Sequence, residues 1–221
     1  MSVNINDFKN FVEGVSAKVQ VGNTLTVEQF NTFCNQAQLL KYEFDRNIFI
    51  TKDEISFYLN LFLKNLTTSV PVAGTLPYPA DLEHIASIRS YYIDSNGVGI
   101  EVPVQSVRNS DWGKITSSQL LVATKEYPKY SWFETDIRFA PKNIGVVMLD
   151  YFRTPVKPEW NYTIVNNRPV YDPLTSVNFE WDSFAMNNIA GIFLELFATT
   201  IKDAELTAFA QAFQQQSNTP L

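Results

Sequence analysis

Glu134 and Asp136 are the two side chains in this sequence best spaced for acid–base chemistry. Alternate residues of a strand share a face, so both carboxylates could point one way, as a glycosidic site requires. Trp112, Tyr130 and Trp132 stand near them in sequence and would give a sugar ring flat apolar surfaces. These five residues define one functional expectation, a glycan-binding or glycan-cleaving module. The same residues have a plainer reading: turn carboxylates are solvated, and strand aromatics form cross-strand pairs and core.

Other chemistries find less to work with. His84, the single histidine, lies beside Glu83 but in no G-x-S-x-G context. Cys34 is the single cysteine, which excludes an intramolecular disulfide and any cysteine metal cluster; its place on an apolar helical face suggests a buried thiol. Metal binding would then rest on carboxylates, and these are scattered apart from Asp53-Glu54, which suits a helix N-terminus. Eight glycines form neither a P-loop nor G-x-G-x-x-G. The expectation is a non-enzymatic protein with no cofactor and no metal.

The 221 residues are 45% hydrophobic and 18% charged, a globular composition, and the formal charge of −6 weighs against a surface that grips phosphates. MSVNINDFKNF has no basic region followed by an apolar run, so no signal peptide is expected. No apolar stretch is expected to reach the roughly 20 residues of a membrane span. These features suggest a chain folded in a cytoplasm, with no membrane partner.

Apolar spacing of three and four predicts the framework. Phe8, Phe11, Val12, Val15 and Val19 mark a helix over residues 5–20. A capping box, Thr26 with Gln29, opens a second helix with Phe30, Phe33, Cys34, Ala37, Leu40 and Phe44 on its buried face. A second box, Thr51 with Glu54, predicts a third helix burying Ile55, Tyr58, Leu59, Phe62, Leu63 and Leu66. Pro71, Gly74, Pro77 and Pro79 read as a passage out of the bundle. Strand pattern follows over Leu82–Ile93, with Asn96-Gly97 turning it back into Gly99–Val104, and Ser110 is the candidate cap of a short helix. YSWF and DIRFAP form a hairpin across Glu134-Thr135, and Gly145–Arg153 is a third strand of the same sheet, four or five strands in all.

Beyond Thr154 four prolines punctuate a segment without periodicity. Tyr162–Val165 and Arg168–Tyr171 make a small hairpin around Asn166-Asn167, residues that tolerate positive φ. Tyr162, Ile164, Val165, Val170 and Tyr171 are its apolar side chains, expected to bury on a neighbouring molecule. Asp182 or Ser183 caps the next helix, Thr200–Lys202 breaks it, and Leu206, Phe209, Ala210 and Phe213 mark the last. The fold class is α+β: a bundle of N- and C-terminal helices (residues 1–74 and 180–221), an inserted small antiparallel β-domain (75–155) and an extended arm (156–179).

The order of motifs resembles the head-to-tail connector proteins of short-tailed bacteriophages. The residues that carry this are Tyr78-Pro79-Ala80-Asp81-Leu82, Tyr127-Pro128-Lys129-Tyr130, Ile137-Arg138-Phe139-Ala140-Pro141, and Leu149-Asp150-Tyr151-Phe152-Arg153-Thr154-Pro155. With Pro158-Glu159-Trp160 the pattern is most similar to the ring proteins of crAss-like phages, and more broadly to the tail tubular protein A family. The resemblance implies a helical bundle with an inserted β-domain and a long arm, assembled as a dodecameric ring. It implies a virion neck protein, put together in the host cytoplasm. Its partners would be copies of itself, the portal protein and other neck or tail proteins, with DNA passing non-specifically through.

Overall fold

A computed structural model describes residues 3–16, 25–52, 58–94, 96–117 and 122–217. The fold is α+β with helices at both ends. The chain divides into a helical unit, residues 1–61 and 155–221, and a β-unit, Phe62–Thr154, inserted into it.

In the helical unit, α1 (Ile5–Ser16) is followed by α2 (Val27–Lys52). The Thr26 box opens α2 as predicted: its Oγ1 accepts the Gln29 N–H at 3.2 Å, and Gln29 Oε1 accepts the Thr26 N–H at 3.1 Å. Thr51 does not stand ahead of a helix but inside α2, and Glu54 lies outside the described residues. The Thr51 hydroxyl instead donates back to Asn47 O at 2.7 Å, and α2 runs on to Lys52. Of the predicted third helix, residues 53–57, Ile55 among them, lie outside the described residues, and where helix was expected over 59–66 the chain forms a 3-10 turn, Leu59–Phe62, and then a strand. Val19 and the predicted end of the first helix lie outside them too.

Helices α4 (Ser183–Ile201) and α5 (Ala204–Ser217), which follow the β-unit and its short helix α3 (Asn109–Ser117), complete the unit. Asp182 caps α4 by accepting the Ala185 N–H at 2.9 Å, and Lys202 ends it in the left-handed region at φ 58°. Asp203 at once caps α5 through Leu206 N, 2.9 Å, so the predicted break is a two-residue joint. Phe193 of α4 is the centre of the core, with Phe8, Phe30 and Phe33 rings 5.5–5.9 Å away in tilted or edge-on contact. Packing against α1, α2 and α5 explains why α4 is apolar nearly all round. Contrary to expectation, α4 is long and apolar enough to cross a membrane by length and composition, and half of that stretch is buried inside the protein.

A buried ion pair sits in α2: Lys41 Nζ lies 2.7 Å from Asp45 Oδ1, with both side chains almost fully enclosed. Burial pushes the Asp45 carboxyl up, against the hydrogen bond and charge of Lys41.

The β-unit holds two four-stranded sheets where one was expected. The first, in spatial order, is β1 (Leu63–Ser69), β8 (Val146–Arg153), β3 (Leu82–Ile93) and β4 (Gly99–Pro103), all antiparallel. The second is β2 (Thr75–Pro77), β7 (Asp136–Ala140), β6 (Lys129–Trp132) and β5 (Gln105–Ser106). Its β5–β6 pair is parallel, a departure from the antiparallel domain expected. The β6–β7 and β3–β4 hairpins are those predicted, but Gly145–Arg153 leads into the other sheet. The unit starts at Phe62, not residue 75, because β1 pairs with β8 along its whole length. Ile85, Ile88, Val147 and Leu149 from one sheet and Tyr130, Ile137 and Phe139 from the other form one shared core. Short helix α3 (Asn109–Ser117) starts one residue before Ser110, so Ser110 is not its cap.

Asp150 sits in a polar row on the first sheet. Its carboxylate accepts from Asn65 Nδ2 (2.5 Å), Ser87 Oγ (2.7 Å) and Arg89 Nη2 (3.0 Å). Burial raises the Asp150 pKa, but the Ser87 and Asn65 hydrogen bonds and the Arg89 charge outweigh it, leaving the group below the usual carboxylate value. A depressed folded pKa contributes stability above the unfolded pKa of about 4 and loses it as pH falls through the folded value. The urea midpoint of the β-unit therefore drops below about pH 4. Asp150→Asn flattens that part of the profile; an unchanged profile in the variant would place the acid sensitivity elsewhere.

Candidate assembly surface

The arm residues form one feature, a hairpin of β9 (Tyr162–Val165) and β10 (Arg168–Tyr171). Asn166 and Asn167 turn it with φ of 51° and 61°, the mirror-image turn that matches strand twist. Replacing Asn167 by Val, a β-branched residue that resists positive φ, costs the hairpin about 1–2 kcal/mol. The hairpin amide and Hα shifts in an NMR spectrum would move toward random-coil values.

The pairing places Tyr162 opposite Tyr171, Ile164 opposite Pro169, Thr163 opposite Val170 and Val165 opposite Arg168. Tyr162, Ile164, Pro169 and Tyr171 thus share one face, and Val165 and Val170 lie on the other. Ile164 is 71% exposed, and Val165, Val170 and Tyr162 are also exposed. No third strand joins this sheet, so both of its edges are unpaired among the described residues. A lone two-stranded hairpin is marginal in water, and this one has apolar side chains on both faces.

The hairpin projects, and the chain on both sides of its root is fastened to the helical unit. Trp160 is the fastening, 5% exposed. Its backbone N–H donates to Asn31 Oδ1 (2.8 Å), its carbonyl accepts from Asn31 Nδ2 (3.1 Å), and its indole N–H donates to Asn6 Oδ1 (3.0 Å). Tyr162 and Tyr171 both stack near its ring, 5.7 and 6.0 Å between centroids, and Lys9 Nζ lies 4.7 Å from its centre. On the return path, Asp172 N donates to Asn161 O, and Glu159 bridges Val177. Phe179 and Trp181 are fully buried. The sequence signal for this anchor was a Trp two residues before an exposed strand.

Two further apolar surfaces were not foreseen. Leu40 and Phe44, expected inside the bundle, are 46% and 57% exposed on α2. The adjoining stripe of that helix, with Cys34, Ala37, Gln38 and Lys41, takes the buried position. Burial pushes the Cys34 thiol well above its usual pKa. In the β-unit, Trp112, Ile115, Val122, Phe139, Arg138 and Lys142 help line an open cleft of about 480 Å3.

The five residues of the glycan set are divided by a sheet. Tyr130 is buried and Trp132 half-buried on the face of β6 that joins the shared core, where Tyr78 stacks on Trp132 at 5.7 Å. Trp112 packs with Ile115 and Ala140 on the other face and meets the Phe133 ring edge-on at 5.9 Å. Asp136 is ion-paired to Arg138 at 3.0 Å, and that guanidinium lies 3.9 Å from the Phe133 ring centre. Glu134 is exposed in the turn. The three aromatics therefore do not make one platform. Among the described residues no group of three or more His, Cys, Asp or Glu is placed to hold a metal ion. Compared with protein-family models and with curated proteins, the chain matches none.

Proposed function

We propose that this chain is a structural subunit of a bacteriophage particle, forming a ring in the neck that joins portal to tail and surrounds the path of the DNA. The observation that carries the reading is the β9–β10 hairpin, which holds apolar side chains on two exposed faces and is fixed at its root by Trp160. A side chain set of this kind is what one subunit presents to the next in a closed ring, where each copy uses the same two patches.

The placement of the quoted motifs supports the same reading. Tyr78–Leu82 leads into β3, Tyr127–Tyr130 into β6, Ile137–Ala140 lies in β7, and Leu149–Arg153 closes β8. All four fall in one β-unit inserted between helices, the architecture that the connector resemblance implies. Residues 1–61 and 155–221 carry fourteen Asp and Glu against eight Lys and Arg, while residues 62–154 carry nine of each. Neither unit has a basic surplus, which suits a wall that lets phosphates slide past.

Electron-microscopic reconstruction of the particle containing the chain tests the proposal. A ring of copies between portal and tail is the expected result. Density for the chain anywhere else in the particle, or its absence from the particle, would overturn it.

A further inference from the structure

We propose that the β9–β10 hairpin of one copy seats in the groove between α2, α4 and α5 of a second copy. This rests on the self-assembling reading above and deepens it by naming the receiving site. Leu40, Lys41 and Phe44 of α2, Asn188 and Ile192 of α4, and Gln214 of α5 line a groove of about 230 Å3. That is below the ~300 Å3 where small-molecule sites begin, yet roomy enough for one or two branched aliphatic side chains. Leu40 and Phe44, one helical turn apart, are its exposed apolar lips.

The hairpin brings matching groups. Ile164, Val165, Pro169 and Val170 are its exposed apolar residues, and Arg168 is the one charged residue between Tyr162 and Tyr171. Within one copy the hairpin does not cover this groove. Its root is held by Asn31, nine residues before Leu40, which is about 13 Å along α2 at 1.5 Å per residue.

Charge selects this groove over the larger cleft of the β-unit. Of the two cations that line that cleft, Arg138 is paired with Asp136 at 3.0 Å, and Lys142 carries the same sign as Arg168. At the groove the lining cation, Lys41, is already neutralised by Asp45. Gln214 donates to Glu195 Oε2 at 2.9 Å and Gln211 to Glu195 Oε1 at 3.5 Å, which sets a carboxylate held by amides beside the groove. Arg168 meets acid at one site and like charge at the other, a difference that sets register between copies.

Cysteine pairing tests this. Cys34 is buried, with a thiol that burial keeps protonated, so introduced cysteines are read without removing it. Chains with Ile164→Cys are mixed at high concentration with chains carrying Phe44→Cys and mildly oxidised; a mixed disulfide dimer is the expected main product. Adding Arg168→Glu to the first chain lowers its yield about tenfold, and Glu195→Lys in the second restores it. Thermal melts of each variant come first, with Leu40→Cys replacing Phe44→Cys if the latter is unfolded. The proposal is overturned by absence of the mixed dimer, by pairing of Ile164→Cys with itself, or by preferred pairing with Val122→Cys in the β-unit cleft. None of these results depends on where the chain sits in a particle, so failure here leaves the neck proposal to its own test.

Discussion

Trp160→Ala destabilises the helical unit by about 3–5 kcal/mol, the range for truncating a buried Trp. The indole is nearly fully enclosed, so its removal opens a cavity among α1, α2 and the two tyrosines of the hairpin root. Asn6 loses the donor to its side-chain oxygen, an added cost where the site is dry. The Asn31 bonds are made by the Trp160 backbone and survive truncation, so the strap stays in place while the hairpin loses the surface on which it stands. Two readouts check this together: a lowered denaturant midpoint of the helical unit, and faster proteolysis within residues 162–171. A drop in stability with unchanged cleavage would show that the hairpin is held by its own strand pairing and turn alone.

Lys41→Met should cost about as much, about 3–5 kcal/mol, because it leaves the Asp45 carboxylate buried without a counter-charge. Both partners are enclosed, and Asp45 Oδ2 has no hydrogen-bond partner among the described residues, so little else there compensates. The double variant Lys41→Met, Asp45→Leu should recover most of the loss, since an apolar pair of similar volume needs no desolvation of charge. The pH dependence of the single variant gives an independent check. Burial already raises the Asp45 pKa, and loss of Lys41 removes the hydrogen bond and charge that oppose it. A carboxyl with a raised folded pKa contributes stability that is present below its unfolded value of about 4 and is lost as pH rises through the folded value. Lys41→Met therefore regains stability on acidification, and Lys41→Met, Asp45→Leu does not.

Local signals were legible and non-local ones were not. The Thr26–Gln29 box, the Asp182 cap, the Lys202 break and the Asn166-Asn167 turn each involve residues within a few positions of one another, and all four form as the sequence indicates. Leu59, Phe62, Leu63 and Leu66 satisfy helical spacing, yet residues 59–66 form a 3-10 turn and the start of β1. Their actual partner, β8, lies about eighty residues on, and no window of sequence contains both. Pro77 read as a chain breaker, yet it sits in β2, an edge strand where a missing N–H is tolerated. Short apolar strands do not declare their sheet, so β8 was joined to β6 and β7.

The same limit applied to the assembly surface. Alternation within Tyr162–Val165 and Arg168–Tyr171 identified the hairpin, whereas its anchor depends on Asn6 and Asn31, more than a hundred residues away. Leu40 and Phe44 match the apolar period of α2 as well as Cys34 and Ala37 do. Which stripe is buried is decided by where α4 packs, and α4 prefers the side with Phe30.

The chain enters the β-unit on β1 and leaves it on β8, and these two strands are neighbours, with Leu63 paired to Phe152 at the point of entry and exit. Tension transmitted through the two connections would therefore act on both strands at the same end of an antiparallel pair. The ladder would open like a zipper, one hydrogen bond at a time from Leu63–Phe152 toward Ser69–Val146, instead of resisting in shear with all its bonds loaded together. A unit mounted in this way yields softly to pulling at its stem while its other sheet, which has no strand in the stem, keeps its pairing.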